Sequence, residues 1–147
     1  MGSVLNVIKI GGNVIDDEEQ LQSFLEKFAA LQGKKILVHG GGKVATRTAA
    51  GLGIEVKMVD GRRVTDAPML DIVTMVYAGL TNKKIVSALQ KFGCDALGLS
   101  GADGNTIKAV KRPVREIDYG YVGDILVDSV NTLSVKKFLE AGFTPVF

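Results

Sequence analysis

The sequence predicts an α/β protein built on parallel strands, and three observations predict it. Two short apolar runs, residues 4–10 and 35–38, are rich in β-branched residues, and each leads into glycines. A stripe of apolar residues at helical spacing separates them. Eighteen glycines in 147 residues, many of them where a strand gives way to another element, fit tight loops at strand ends.

Residues 4–10 read as the first strand. Asp16 is placed to cap a helix, with Asp17, Glu18 and Glu19 set favourably against its dipole. Leu21, Phe24, Leu25, Phe28 and Leu31 form its apolar stripe, and Gly33 is a natural stop at C′. Residues 35–38 are the second strand, so the first unit is β-loop-α-β with a parallel pair. Gly42 opens a helix that runs to about Gly51, and residues 52–59 are a connection and a short strand before a turn at Asp60 and Gly61. Thr65 caps the next helix, which tolerates Pro68 in its first turn and buries Met69, Ile72, Val73 and Val76. Gly79 interrupts, and Asn82 caps a further helix that carries Ile85, Val86, Leu89 and Phe92 and stops at Gly93. Residues 96–99 are a buried strand, and residues 100–105 a loop by composition. Residues 106–110 and 121–127 read as antiparallel strands around a polar segment containing Pro113. Residues 134–140 are a helix ended by Gly142, and residues 144–147 begin another strand.

Bulk properties exclude several classes. The length fits one domain with a real core, and the shares of hydrophobic (46%) and charged residues (23%) are ordinary for a soluble globular chain. No apolar run approaches the roughly 18 residues of a membrane span, and the N-terminus lacks a signal-peptide pattern. Net charge is +2 with Lys and Arg scattered, so the basic face of a nucleic-acid binder is missing. Cys94 is the single cysteine, which rules out an internal disulfide and a Cys-based metal site and suits a reducing cytoplasm.

The chemistry concentrates in two segments, VIKIGG (7–12) and ILVHGGG (36–42). Glycine has no Cβ, so its amide can approach an anion closely. Amides at a helix N-terminus favour phosphate or carboxylate. Lys9 lies near the end of a strand expected to be buried, where an unpaired charge is costly without a functional partner. Two such loops and one lysine point to phosphoryl transfer, which needs neutralisation and alignment more than acid-base work. The competing reading of a glycine is the turn itself, but three in a row exceed what a turn needs. His39, the sole histidine, reads as a buttress of the glycine loop rather than a general base. Asp103 and Asp124 read as loop and surface residues.

The segments VIKIGG, VHGGG, DGRRVT, SGADGN and YGYVGDI, in this order and spacing, resemble the N-acetylglutamate kinases of the amino acid kinase family across essentially the whole chain. VHGGG followed about twenty residues later by GxRVT is the specific part; a K-x-G-G strand end alone would also fit carbamate, aspartate or uridylate kinases. The resemblance implies a three-layer αβα sandwich with a mostly parallel central sheet. It implies ATP-dependent phosphorylation of the side-chain carboxylate of N-acetylglutamate in arginine biosynthesis, with Mg2+ accompanying ATP. It implies that Lys9 stabilises the transferring phosphoryl group and that Gly41 and Gly42 lie at the substrate. It implies also that Arg63 grips a substrate carboxylate and that Gly11 and Gly12 face the ATP phosphates. It implies a homodimer. Residues 1–147 correspond to the acylglutamate-binding N-terminal part, so the ATP-binding half is expected to be absent and the chain alone inactive. Few residues precede the first strand, so the N-terminal helix of arginine-inhibited members is not expected.

Arg62 departs from the apolar or neutral residue often found beside the substrate arginine. It is either a solvated side chain or a partner for a carboxylate on a larger acyl group, as in N-succinylglutamate. Two rivals remain: a non-catalytic small-molecule-binding domain of the same fold, and another family member such as carbamate kinase, which DGRRVT disfavours. Neither G-x-G-x-x-G nor G-x-x-x-x-G-K-[ST] is present, which argues against a dinucleotide or P-loop site.

Overall fold

A computed structural model describes residues 4–147. Four parallel strands form the central sheet in the order β1 (Asn6–Lys9), β2 (Lys35–Val38), β8 (Thr144–Val146), β5 (Ala96–Gly98). Side chains alternate across it. Leu37 and Val146 face α2 (Glu18–Ala30) and α5 (Asn82–Lys91), where Leu21, Leu25, Phe28, Ile85 and Leu89 close one core. Ile36 faces the other way, onto Val135 and Leu139 of α6 (Thr132–Glu140). Helices on both faces of a parallel sheet make the αβα layering that the resemblance implies. A separate cluster joins α3 (Gly42–Gly51) to α4 (Ala67–Val73) through Ala45, Ala49, Met69 and Ile72.

Several local readings are corrected. Asp17, not Asp16, caps α2, its carboxylate accepting from the Gln20 amide at 3.0 Å. Asp16 instead closes a short helix, α1 (Gly12–Asp16), that a five-residue apolar pattern could not announce. Asp66, not Thr65, caps α4 and accepts from the Met69 amide. Gly79 does not interrupt, and Asn82 does not cap. The chain runs from α4 through a π-helical stretch, Thr74–Thr81, into α5, with Thr81 and Asn82 both in helical conformation. The π turn absorbs the change of phase that reads in the sequence as a break. The antiparallel strands expected over 106–110 and 121–127 shrink to β6 (Val110–Lys111) and β7 (Gly123–Asp124). Their flanks carry Val127, Ile125 and Tyr121 exposed, so no buried face extends the pairing.

One further hairpin positions the site. β3 (Met58–Val59) and β4 (Arg62–Arg63) pair antiparallel around Asp60 and Gly61, with φ of 49° and 73°. Two adjacent left-handed residues are what a two-residue hairpin turn requires. The residues before Val4, on which the expectation about an N-terminal regulatory helix rests, lie outside the described residues.

Candidate functional site

β1 and β2 run side by side with Lys9 opposite Val38, and the Ile10 amide donates to the Val38 carbonyl at 2.9 Å. Both strands therefore release their glycine turns at the same carboxyl edge of the sheet. Gly11 caps α1 and Gly41 caps α3, neither with a side chain to satisfy the first amides. Among the described residues, no backbone acceptor takes the amides of Gly11, Gly12, Gly41 or Gly42. Two sets of free N–H groups thus open at one edge. Asp16 ties the two helices together, 3.2 Å from the Lys43 ammonium and 3.8 Å from the Arg47 guanidinium, and Lys43 also donates to Asn13 at 3.2 Å.

The glycines differ in what surrounds them. A Cβ on Gly41 would sit 3.0 Å from Cδ1 of Tyr77 and 3.3 Å from Oγ1 of Thr81, so glycine there makes room for the π-helical stretch. A Cβ on Gly11 or Gly40 would meet nothing within 4 Å. Internal packing gives no reason for glycine at those two positions.

Arg63 reaches the second turn from β4. Its Nη2 donates to the Gly42 carbonyl at 3.0 Å and to Thr46 Oγ1 at 3.0 Å, while Nη1 lies 4.0 Å from the Met69 sulfur. The adjoining segment is fastened to β4 by the Thr65 amide on the Tyr119 carbonyl (2.9 Å) and the Tyr121 amide on the Thr65 carbonyl (2.7 Å). A cavity of about 490 Å³ results, lined by Arg62, Arg63, Thr65, Val73, Tyr77 and Tyr121 with Arg112 and Val122. The structure therefore brings Arg63, Gly41 and Gly42 together.

Lys9 corrects an expectation. β1 is an edge strand, and Lys9 and Val7 on one face of it are exposed, beyond the cover of α6. The cost of burying an unpaired charge thus supplies no argument for Lys9. No ion pair among the described residues involves it. Its position at the strand end, two residues before Gly11, is what remains.

His39 is half-buried behind the turn. Its Nδ1 lies 2.8 Å from the Gly40 carbonyl and its Nε2 3.0 Å from the Asn82 amide nitrogen, and burial pushes its pKa below the ordinary value. Asp103 is a loop former: the Ser100 amide (2.6 Å) and hydroxyl (2.7 Å) hold its carboxyl below the usual carboxylate range. Asp124 pairs with Arg112, whose Nε donates at 2.9 Å, and that bond, with weaker contributions from Arg62 and Arg115, holds its carboxyl low. These side chains line a second cavity of about 600 Å³ that shares Arg62 and Arg112 with the first.

Tyr77 and Thr81 escape the sequence reading, and Asn82 enters it only as a helix cap, not as a buried partner of His39. Buried positions run 69, 72, 76, 81, 82 and 85, and the step of five from 76 to 81 marks the π turn. Two of the buried residues after it are polar, so a search for apolar periodicity passes over them.

Comparison with known proteins shows the family of the chain. The model of the amino acid kinase family matches residues 5–147. The chain is 53% identical over 146 residues to an acetylglutamate kinase of Phocaeicola vulgatus, covering 99% of this chain and 56% of that one. It is 57% identical over 143 residues to the acetylglutamate kinase of Cytophaga hutchinsonii (97% and 53%) and 42% identical over 146 residues to that of Methanopyrus kandleri (97% and 56%). The crystal structure of smu.665 from Streptococcus mutans superposes with a TM-score of 0.80 at 25% identity, covering 97% of this chain and 57% of that one. N-acetylglutamate synthase from Neisseria gonorrhoeae, complexed with coenzyme A and N-acetyl-glutamate, shares the fold at a TM-score of 0.74 and 23% identity, over 97% and 32%. The chain spans about half the length of the curated relatives it matches and corresponds to their N-terminal half. It belongs to the amino acid kinase family.

Proposed function

We propose that the chain is the acylglutamate-binding part of an ATP-dependent kinase that phosphorylates the side-chain carboxylate of N-acetylglutamate in arginine biosynthesis. The observation that carries this reading is the convergence of Arg63 on Gly42 beside two glycine turns with free amides. In this reading Arg63 holds a substrate carboxylate with the donors it does not spend on Gly42 and Thr46. The Gly41 and Gly42 amides face the substrate and the γ-phosphoryl group, and the Gly11 and Gly12 amides face the ATP phosphates. Lys9 supplies a point charge to the phosphoryl group in transit. The names of the relatives support the substrate.

Among the described residues no group of three or more His, Cys, Asp or Glu is arranged to hold a metal. Mg2+ accompanies the nucleotide phosphates in this reading, and no residue role above depends on it. The binding of ATP itself, a homodimeric assembly and a cytoplasmic setting belong to the same reading. No described helix is long and apolar enough to cross a membrane.

A protein of the relatives' length that contains this chain is expected to form an acyl phosphate from N-acetylglutamate and ATP, trapped as the hydroxamate. The 147-residue chain alone is expected to form none. Hydroxamate formation by the chain alone, or its absence from the longer protein, would contradict the reading.

A second reading of the acyl group rests on Arg62, which borders both cavities beside Arg112. A carboxylate on the acyl chain, as in N-succinylglutamate, would find these guanidinium groups. Comparison of kcat/KM for the two substrates, with and without Arg62→Leu, decides between them.

A further inference from the structure

The second glycine turn is held from behind by one continuous line of hydrogen bonds. Asn82 is 1% exposed at the start of α5. Its amide nitrogen donates to the Val146 carbonyl at 2.9 Å and faces His39 Nε2 at 3.0 Å, and its carbonyl oxygen accepts from the Lys83 ammonium at 3.1 Å. His39 Nδ1 in turn faces the Gly40 carbonyl at 2.8 Å. These contacts have one consistent proton assignment. The two Asn82 amide protons go to Val146 and to Nε2, so Nε2 must be a bare acceptor. Nδ1 must then carry the proton that it donates to Gly40. Adding a proton at Nε2 would set two donors against each other. Turning the Asn82 amide over would give up the Val146 bond and point its NH₂ at the Lys83 ammonium.

We propose that Asn82 and His39 are positioning residues for the glycine turn, a hydrogen-bonded line from α5 to the Gly40 carbonyl that requires the neutral Nδ1–H tautomer of the imidazole. The line holds the Gly40 carbonyl against His39 Nδ1. The Gly41 amide points opposite to that carbonyl across a trans peptide, and among the described residues neither it nor the Gly42 amide has a backbone acceptor. The π-helical stretch supplies the counterpart: Tyr77 and Thr81 press on Gly41, and the following residue is Asn82 itself. A regular helix would not bring all three to the turn in this register. Gly98 leaves room for the arrangement, since a Cβ there would collide with the Asn82 carbonyl oxygen. The charged side chain that reaches the line around His39 is Lys83, whose ammonium donates to the Asn82 carbonyl oxygen; Lys9 lies opposite Val38, on the other face of the sheet. The main-chain oxygen of Phe147, the last residue, accepts the His39 amide at 2.8 Å. Burial favours the neutral ring.

The functional reading above gives the turn its task, but the test needs no substrate, so the two fail separately. The probe is the proton itself, in a ¹⁵N-labelled 147-residue chain with a single histidine. Long-range ¹H–¹⁵N spectra at pH 7 are expected to show a neutral ring protonated at Nδ1. The Gly40, Gly41 and Gly42 amide signals are expected to move together as His39 takes up its proton. Asn82→Asp, which sets a carboxylate beside Nε2, is expected to raise the His39 pKa by about one unit or more. An Nε2–H tautomer at pH 7 overturns the proposal. So do glycine signals that stay fixed while His39 titrates, a readout that needs only the unaltered chain should Asn82→Asp fail to fold. An unchanged His39 pKa in a folded Asn82→Asp variant overturns it as well.

Discussion

Arg63 Nη2 lies 3.0 Å from the carbonyl oxygen of Gly42, so the guanidinium is fixed against the first turn of α3 by a residue of the turn it serves. Thr46 Oγ1 shares the load, accepting from Nη2 and donating to the same carbonyl at 3.0 Å. A planar fork with some donors committed to the protein presents the rest in a fixed direction. Arg63→Ala in the longer enzyme is expected to raise the KM for N-acetylglutamate by about 10- to 100-fold, the equivalent of one charged hydrogen-bonding group, and to leave that for ATP nearly unchanged. Steady-state kinetics with each substrate varied in turn check this. Equal effects on both substrates would mean a structural role.

Lys9 permits a clean kinetic test because it is exposed and joins no ion pair among the described residues. Lys9→Ala is expected to leave the midpoint of thermal unfolding unchanged. In the longer enzyme it is expected to lower kcat by about 10²- to 10³-fold, the worth of one transition-state donor, with a much smaller change in KM. A near-normal kcat would remove Lys9 from the mechanism.

Gly41 and Gly11 are expected to respond oppositely to alanine. At Gly41 the new methyl group meets Tyr77 at 3.0 Å, an overpacking that costs about 1–3 kcal/mol and is relieved by Tyr77→Leu. At Gly11 it meets nothing within 4 Å, so stability holds while access to the free amides narrows. Denaturant titration of both variants and of the double variant measures this. A destabilised Gly11→Ala variant would show that the first turn is glycine for internal reasons.

The readable part of the molecule is the part that repeats a local rule. The parallel pair β1–β2, the α2 stripe and the Asp60–Gly61 hairpin turn each follow from a few adjacent residues. The exposure of Lys9 does not, because an edge strand and a central one of the same sequence differ only in what lies alongside. Tyr77 and the buried role of Asn82 were hidden for another reason. Their register depends on a π turn, and the burial of Asn82 rests on partners at positions 39, 83 and 146, far apart in the chain. Asp16 and Asp17 look alike as caps until α1 takes the first of them as its last residue.

The lowered pKa of His39 sets a pH window for stability. A histidine that the folded state keeps neutral binds its proton more readily when unfolded, so stability rises with pH in that range. The contribution is full above about pH 6.5 and is lost progressively as pH falls from there toward the folded-state value. The lowered carboxylates Asp17, Asp103 and Asp124 act in a separate window, with contributions that are present above about pH 4 and lost below it. Urea titrations between pH 5 and 7.5 are expected to show a slope that His39→Gln removes. An identical slope in that variant would assign it to other groups.

Arg63 and the two glycine turns are proposed to form one acylglutamate site. Chemical-shift titration of the ¹⁵N-labelled chain with N-acetylglutamate tests it most directly. Saturable movement of the Gly41 and Gly42 amides and the Arg63 side chain, abolished by Arg63→Ala with the fold intact, is the predicted result. Saturable movement elsewhere with these signals unmoved, or the same glycine response in the Arg63→Ala variant, would contradict it.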